Sequence, residues 1–111
     1  MELPPFILGL PQADVPFDES MVKSHALSSK DGLLVFFEFM ADFEVPAHSH
    51  GAQWGTVLEG ELGLTVDGVE KTYRPGESYF IPAGAVHSAK LSAGSKIIDF
   101  FEEADRYKLK G

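Results

Sequence analysis

The amino-acid sequence predicts an all-β fold, and three observations support that prediction. Apolar segments of roughly four to eight residues alternate with turn signals, which is typical of a β-sandwich or β-barrel. The 11 glycines and 7 prolines are spread along the 111 residues rather than gathered in one linker, so they mark turns between short elements. No stretch keeps the 3.6-residue apolar period of an amphipathic helix over three turns, and we therefore expect little helix.

Seven strands are predicted between the turn signals. The pair Asp67–Gly68 is the strongest hairpin signal, because a type I′ turn needs a positive φ at both central residues. Further turns are expected at the glycine-containing pairs 59–60, 75–76, 83–84 and 93–94. The predicted strands cover residues 33–40, 55–59, 62–66, 71–74, 78–81, 87–91 and 96–101.

The two ends of the chain lie outside this pattern. Residues 1–20 contain four prolines, which predicts an extended N-terminal arm with room for one short strand. Residues 102–109 are compatible with one terminal helical turn. Because 111 residues fit one compact domain, we predict an arm over residues 1–20 and a single barrel domain over residues 21–111.

Composition restricts the partners and the chemistry. The chain has 9 basic and 17 acidic residues, a formal net charge of −8, which disfavours binding to the phosphate backbone of a nucleic acid. It has no cysteine, which excludes disulfides, thiolate metal sites and cysteine nucleophiles. No basic, apolar leader opens the sequence, and no run approaches the ~18 apolar residues of a membrane span. We therefore expect a cytoplasmic protein with a small-molecule partner and no membrane partner.

A pair of histidines suggests a metal site. His48 and His50 are two positions apart, shortly after Pro46 and at the rim of a predicted strand. Residues i and i+2 of a strand point to the same face, so both imidazoles can be directed at one point. Neutral imidazole is a suitable ligand for zinc, iron, nickel, manganese or copper. The alternative interpretation is a chance pair of histidines on a polar loop.

A third histidine follows in a recognisable setting. Gly76, Pro82, Gly84 and His87 have the spacing G-x5-P-x-G-x2-H, which describes a strand, a tight turn and a returning histidine. This spacing resembles the second sequence motif of the cupin superfamily. The resemblance extends over residues 33–101, and it implies a cupin barrel, the RmlC-like jelly roll also described as a double-stranded β-helix.

The first cupin motif, G-x5-HxH-x3,4-E-x6-G, is matched with departures. The corresponding segment runs from Asp42, which replaces the opening glycine, through the two histidines to Gly60. Gln53 occupies the usual glutamate position, six residues before Gly60, although only two residues separate it from His50. In the second motif, Leu91 replaces the final asparagine.

The resemblance implies a divalent transition metal, with zinc, iron, nickel and manganese as the candidates. It also implies four ligands for that metal, namely His48, His50, Gln53 and His87. Gln53 has an alternative interpretation as a hydrogen-bonding amide in the core. Four neutral ligands leave the ion its full positive charge, which makes it a stronger Lewis acid than a carboxylate ligand would. That favours lyase, isomerase or hydration chemistry over oxygen activation.

An aspartate interrupts the apolar strand predicted over residues 96–101, which reads KIIDFF. Strict alternation places Asp99 on the same face as Ile97 and Phe101. If that face lines the barrel, Asp99 is a partly buried carboxylate near the metal, with a raised pKa suited to acid–base catalysis. The alternative is an aspartate that points out to solvent.

The sequence also resembles one group within the superfamily. Small single-domain cupins that linearise unsaturated uronates in pectin and alginate breakdown share HxH, a glutamine in place of the glutamate, and a late D-x-F. Asp99 and Phe101 match the last element, and the resemblance implies that Asp99 is the acid–base residue. Those enzymes also carry an arginine after D-x-F; Arg106 is offset by one position, so no role is assigned to it.

Several other residues receive an ordinary structural interpretation. His25 lies in a polar stretch and is predicted to be a surface residue rather than a ligand. Trp54 is predicted to be part of the barrel core rather than a platform for substrate. Glu59 and Glu61 are expected to be solvated, and Lys90 is interpreted as a surface lysine.

The leading hypothesis is a metal-dependent cupin that acts as a lyase or isomerase on a small sugar-derived or carboxylated compound. In it the metal is the Lewis acid and Asp99 transfers the proton. The alternatives are a non-haem iron dioxygenase and a non-catalytic module that binds or senses a small ligand. We also predict a homodimer, because edge strands remain open and the pair Phe6–Ile7 of the arm could anchor on a partner; a frayed terminus is the alternative.

Overall fold

The architecture is known from a computed structural model, which describes residues 1–110. Within these residues the chain forms one short helix and nine strands, so the prediction of an all-β fold is confirmed. The elements are α1 (Pro5–Leu8), β1 (Val22–Ser29), β2 (Gly32–Phe39), β3 (Phe43–His48), β4 (Gln53–Glu59), β5 (Leu62–Val66), β6 (Val69–Tyr73), β7 (Ser78–Ile81), β8 (His87–Leu91) and β9 (Lys96–Phe101).

The strands form two antiparallel sheets that enclose the core. One sheet has the order β1-β2-β9-β4-β7, and the other has the order β3-β8-β5-β6. Alternate residues of each strand face inwards; on β2 these are Leu33, Val35, Phe37 and Phe39, all buried. Full burial of such a side chain stabilises the fold by about 1.5–3 kcal/mol.

Four of the seven predicted strands have the bounds found in the structure, namely β5, β7, β8 and β9. The other three, β2, β4 and β6, differ at one or both ends by one to two residues. The hairpin prediction at Asp67–Gly68 is also confirmed, since these residues have φ of 48° and 83°.

Two strands, β1 and β3, escaped prediction. The polar residues Ser24 and His25 of β1 are buried, which hides the alternation of apolar and polar residues. β3 contains Pro46, which cannot donate a backbone hydrogen bond to a neighbouring strand. Pro46 is tolerated because β3 is an edge strand of its sheet. On the open side of an edge strand, the backbone N–H groups have no neighbouring strand to bond.

Both ends of the chain differ from expectation. Pro5–Leu8 is helical rather than extended, which is consistent with the fixed φ of proline at the start of a helix. The expected terminal helical turn is absent from residues 102–109. Instead, Ala13 pairs with Leu109 in an isolated β-bridge, and the Asp14 N–H donates to the Lys108 carbonyl at 2.7 Å. The arm and the tail therefore hold each other in place.

Two predictions about individual side chains were wrong. His25 is 7% exposed, because residues of the arm lie against β1, with Gln12 bridging to His25. Trp54 is 46% exposed rather than part of the core, because it alternates with the inward residue Gln53. It lies on the outer face of the sheet, directly opposite Phe80 on one side and Phe100 on the other.

A membrane-spanning helix is not found in the described part of the chain, whose one helix has four residues.

Candidate metal centre

Three of the four histidines meet between the sheets. The side chains of His48, His50 and His87 each offer a nitrogen within 4.8 Å of the others. His48 is the last residue of β3 and His87 the first of β8, and the two lie directly opposite each other in the sheet. Their ring centroids are 4.2 Å apart, and the His50 ring lies 4.8 Å from that of His87.

The same ring nitrogen is hydrogen-bonded in all three histidines. The Nδ1 atoms of His48, His50 and His87 lie 2.8, 2.8 and 3.0 Å from the backbone carbonyls of Pro46, Gly51 and Ala85, respectively. A carbonyl can only accept, so a neutral ring carries its proton on Nδ1 and leaves the Nε2 lone pair free. This is the tautomer that a metal-binding histidine needs.

The Nε2 atom of His50 indicates that the three histidines fit a metal ion. It is buried and has no hydrogen-bond partner within residues 1–110. An unpartnered buried nitrogen is unfavourable unless something coordinates it. Three free Nε2 lone pairs that converge, one of them orphaned, therefore fit a divalent transition metal ion.

Burial also keeps two of these rings neutral. Desolvation lowers the pKa of His50 and of His87, in each case against a smaller opposing effect of the hydrogen bond to a backbone carbonyl. The positive charge of Arg106 lowers both pKa values further. Near neutral pH both side chains are thus in the form that can bind a metal.

The sequence predicted that His48 and His50 converge, but for a different reason from the one observed. Only His48 belongs to a strand, because β3 ends there and β4 begins at Gln53. His50 lies in the loop of residues 49–52, so alternation along a strand does not direct its side chain. Contacts from elsewhere in the chain hold that loop.

A small cavity of about 70 Å³ connects His48 and His87 with Asp99, the predicted acid–base residue. Its walls are mostly apolar. The polar side chains among them are His48, His87, Gln53, Tyr79 and Asp99. Asp99 is 3% exposed and shares its inward face with Ile97 and Phe101, so the alternative of a solvent-facing aspartate is wrong.

The Asp99 carboxyl group has an unusual pKa. Burial raises the pKa to about 6, and hydrogen bonds with Tyr79 and Gln53 limit the increase. The Tyr79 hydroxyl donates to Asp99 Oδ1 at 2.5 Å. Burial and the neighbouring Asp99 charge raise the pKa of Tyr79 well above its ordinary value, so this hydroxyl remains a donor. A carboxyl group with a pKa near neutrality can both give and accept a proton.

Gly55 makes the contact between Tyr79 and Asp99 possible. It lies opposite Tyr79 on one side and opposite Asp99 on the other, so the three residues form one row across β7, β4 and β9. A Cβ atom at Gly55 would be 2.3 Å from both Asp99 Oδ1 and the Tyr79 hydroxyl. The tyrosine thus reaches across β4 through the space that a glycine leaves.

Gln53 lies beside Asp99 in the cavity. It is 8% exposed, is the first residue of β4, and lines the cavity with His48 and His87. Its hydrogen bond favours the charged form of Asp99. Coordination of the metal by Gln53 stays a prediction.

The sequence led to no role for two residues of the site, Tyr79 and Arg106. Tyr79 occupies an inward position of β7, and the sequence offers no sign that distinguishes it from an ordinary aromatic core residue. Arg106 lines a cleft with His48, Ser49 and Tyr107, and its guanidinium lies 4.5 Å above the Tyr107 ring. Its Nε atom is buried without a partner in the described part of the chain. A basic residue shortly after D-x-F was the available signal.

Two packed antiparallel sheets with a three-histidine centre between them define a small β-barrel protein that could hold a metal. The family model described as "Cupin domain" matches residues 35–98, more than half of the chain, and the protein belongs to that family. The resemblance found in the sequence is thereby confirmed.

Solved structures agree with this assignment. An RmlC-like cupin from Shewanella frigidimarina has 29% sequence identity, with 96% of this chain and 95% of that one covered and a TM-score of 0.78. KdgF from Halomonas sp. has 23% identity over 83% of this chain and 88% of that one, with a TM-score of 0.71. Oxalate decarboxylase from Bacillus subtilis has 15% identity over 89% of this chain and 28% of that one, with a TM-score of 0.73. The last two likenesses show the fold alone. No match was found among curated proteins.

Proposed function

We propose that this cupin is a metal-dependent lyase or isomerase that acts on a small, carboxylated, sugar-derived compound. The observation that carries the proposal is the cavity that His48, His87 and Asp99 line together. It places a buried carboxyl group with a pKa of about 6 beside a group that fits a divalent ion. The metal would be held by His48, His50 and His87, with Gln53 as the proposed fourth ligand.

The division of work follows from the chemistry of these groups. A divalent ion bound there would supply Lewis acidity, which polarises a carbonyl or hydroxyl oxygen. Asp99 accepts and returns a proton at its carboxyl group, held in place by the Tyr79 hydroxyl. The apolar walls exclude bulk water from that proton transfer.

Arg106 supports a carboxylated substrate. The whole chain has a formal net charge of −8, which by itself repels anions. Arg106 places a positive charge in the cleft next to His48, with a buried Nε donor that has no partner within residues 1–110. A guanidinium group binds carboxylates through paired hydrogen bonds, so we assign it the carboxylate of the substrate.

A substrate screen tests the proposal. The metal-loaded protein is incubated with unsaturated uronates, keto acids and small diketones, and product formation is followed by NMR. We expect turnover that is lost on chelation and in Asp99→Ala, and retained in Asp105→Ala, an exposed aspartate six positions further on. Arg106→Gln should raise KM more than it lowers kcat. Turnover that survives both chelation and Asp99→Ala would refute the mechanism.

The same screen separates the two alternatives. Iron-dependent oxygen consumption without turnover under anaerobic conditions would identify a dioxygenase. Saturable binding of a compound with no chemical change would identify a binding or sensor module.

The homodimer is proposed separately from the chemistry. Leu3 is buried against the chain's own barrel, whereas Phe6 is 78% exposed on α1 and available to a second copy. Light scattering should give the mass of a dimer for the full chain and a lower mass after deletion of residues 1–10 or in Phe6→Ser. A monomeric mass for the full chain would reject the dimer.

A further inference from the structure

His50 is the one histidine of the centre that no strand holds. The loop of residues 49–52 joins β3 to β4, and its backbone groups cannot all use the sheet ladders. Buried or half-buried N–H groups need acceptors, and two donors of this loop, the N–H groups of Gly51 and Ala52, have recorded partners. Both partners are side chains that lie some fifty positions away in the sequence.

The carboxylates of Glu102 and Glu103 accept these donors. The Ala52 N–H donates to Glu102 Oε2 at 2.5 Å, and the Gly51 N–H donates to Glu103 Oε1 at 2.8 Å. The Glu102 N–H in turn donates to the Ala52 carbonyl at 3.0 Å, so Glu102 holds Ala52 from both sides. The Gly84 N–H donates to the His50 carbonyl at 2.8 Å and fixes the start of the loop.

One peptide group connects the carboxylate of Glu102 to the imidazole. The Ala52 N–H and the Gly51 carbonyl belong to the same peptide unit. Its N–H faces Glu102, and its carbonyl oxygen lies 2.8 Å from His50 Nδ1. Hydrogen bonds in such a chain polarise one another, and a charged acceptor strengthens the first of them. Glu102 therefore holds the peptide group whose carbonyl accepts the Nδ1 proton of His50.

Glu103 adds a second contact to the same ring. Its Oε1 atom lies 3.9 Å from His50 Nδ1, and the His50 side chain is only 6% exposed. Both glutamates pack directly on Gly51, where a Cβ atom would be 2.9 Å from Glu102 Oε2 and 2.9 Å from Glu103 Cγ. Only a glycine at position 51 allows the two glutamate side chains to approach the loop backbone this closely.

We infer that Glu102 and Glu103 are positioning residues for the metal centre: they hold the 50–52 backbone and, through one peptide group, orient His50 towards the ion. Metal-binding histidines commonly donate their second ring N–H to a carboxylate or a carbonyl, and such outer partners raise metal affinity. Here the Gly51 carbonyl accepts from His50, and the Glu102 carboxylate holds the same peptide group through the Ala52 N–H. The inference rests on the proposed metal centre.

Cobalt(II) binding provides the test, because its visible spectrum reports the number and geometry of its ligands. Relative to the unchanged protein, we expect Glu102→Ala/Glu103→Ala to bind Co²⁺ about tenfold or more weakly, as outer-partner losses do. Its cobalt spectrum should also change. Glu102→Gln/Glu103→Gln should recover most of the affinity, because an amide oxygen still accepts from the backbone. Recovery by glutamine separates positioning from a general loss of stability.

Glu77 offers a matched control. Its carboxylate also accepts a backbone N–H, that of Arg74 at 2.7 Å, but in the turn between β6 and β7. Glu77→Ala should leave the cobalt affinity and spectrum unchanged. Equal losses in Glu77→Ala and in the double alanine variant would overturn the inference, as would a double variant with unaltered affinity and spectrum.

Amide hydrogen exchange in metal-free protein keeps the inference separate from the proposed function. The Gly51 and Ala52 amides should lose protection in the double alanine variant and keep it in Glu77→Ala. If the unchanged protein binds no Co²⁺, the metal centre is rejected, and the exchange data still decide whether the two glutamates hold the loop. Unchanged protection of both amides would show that they do not.

Discussion

The three histidines of the centre are held in two different ways, and the comparison separates what a sheet contributes from what side chains contribute. His48 and His87 lie opposite each other on paired strands, and each bonds the carbonyl two residues before it. His50 is in a loop, bonds the carbonyl one residue after it, and depends on the glutamates at positions 102 and 103.

The site therefore combines a rigid part, His48 and His87 on paired strands, with an adjustable part, His50 in its loop. Strand pairing fixes two ligands through backbone hydrogen bonds, which most substitutions leave intact. The third ligand is fixed by side chains, which substitution can weaken by degrees without unfolding a sheet. We expect changes near the strands to abolish binding or stability, and changes near the loop to tune metal affinity.

The largest effect is expected from removal of a strand-held ligand. His87→Ala should lose its metal, with at least a 100-fold weaker affinity, because one of three imidazoles and its orientation by Ala85 are removed together. Elemental analysis measures the metal, and circular dichroism shows whether the fold remains. Full metal occupancy in a folded His87→Ala protein would contradict the assignment.

A second test adds a methyl group on the strand-held side. Gly55→Ala would place Cβ 2.3 Å from both Asp99 Oδ1 and the Tyr79 hydroxyl, and both of these side chains are buried. We expect the free energy of unfolding to fall by about 3 kcal/mol, at the upper end for overpacking. Urea denaturation measures the change. An unaltered midpoint would show that β4 can move away from its neighbours.

The pH dependence of stability tests the buried carboxyl group. The pKa of Asp99 is about 6 in the folded protein against 3.8 for the unfolded chain, so folding favours the protonated form. Its contribution to stability is therefore greatest below about pH 4 and is lost as the pH rises to 6. The total loss is up to about 3 kcal/mol.

Asp99→Asn isolates this contribution from that of the histidines. His50 and His87 have lowered pKa values, so they change stability in the opposite direction, with stability lost as the pH falls below their unfolded value. Their effect cancels when the variant is subtracted from the unchanged protein. The difference in unfolding free energy, measured without metal between pH 4 and 7, should decline with rising pH. A flat difference would mean that Asp99 ionises normally.

The smallest effect is expected from a methyl group on the loop side. In Gly51→Ala the new Cβ meets the ends of two glutamate side chains that are partly solvated and can move. Stability should change by less than about 1 kcal/mol, whereas metal affinity should fall by a few-fold, measured by competition with a chelator. A loss of stability as large as that of Gly55→Ala would remove the distinction between the two parts.

Local patterns predicted the strand-held part of the site well. The spacing from Gly76 to His87 placed a histidine at the start of β8, and alternation in KIIDFF placed Asp99 on the face that proved to be buried. Both inferences involve residues of one strand or one turn. Their relative directions follow from backbone geometry that a short segment carries within itself.

The sequence pattern was misleading where burial depended on a distant segment. His25 lies in a polar stretch, and the arm that covers it joins β1 through hydrogen bonds between residues 11–13 and β1. Trp54 was assigned to the core because it is large and aromatic. It is exposed because Gln53, beside it, takes the inward position.

Alternation and short spacings in the sequence were enough to predict the β architecture, most strand positions, the cupin family and the three histidines. Three contacts are visible only in the folded molecule: Tyr79 reaches Asp99 across Gly55, Arg106 lies beside His48, and two glutamates hold the His50 loop. These contacts join residues that lie far apart in the chain. They exist because two stacked sheets and the chain's tail bring the strand ends and loops to one place, which no local pattern encodes.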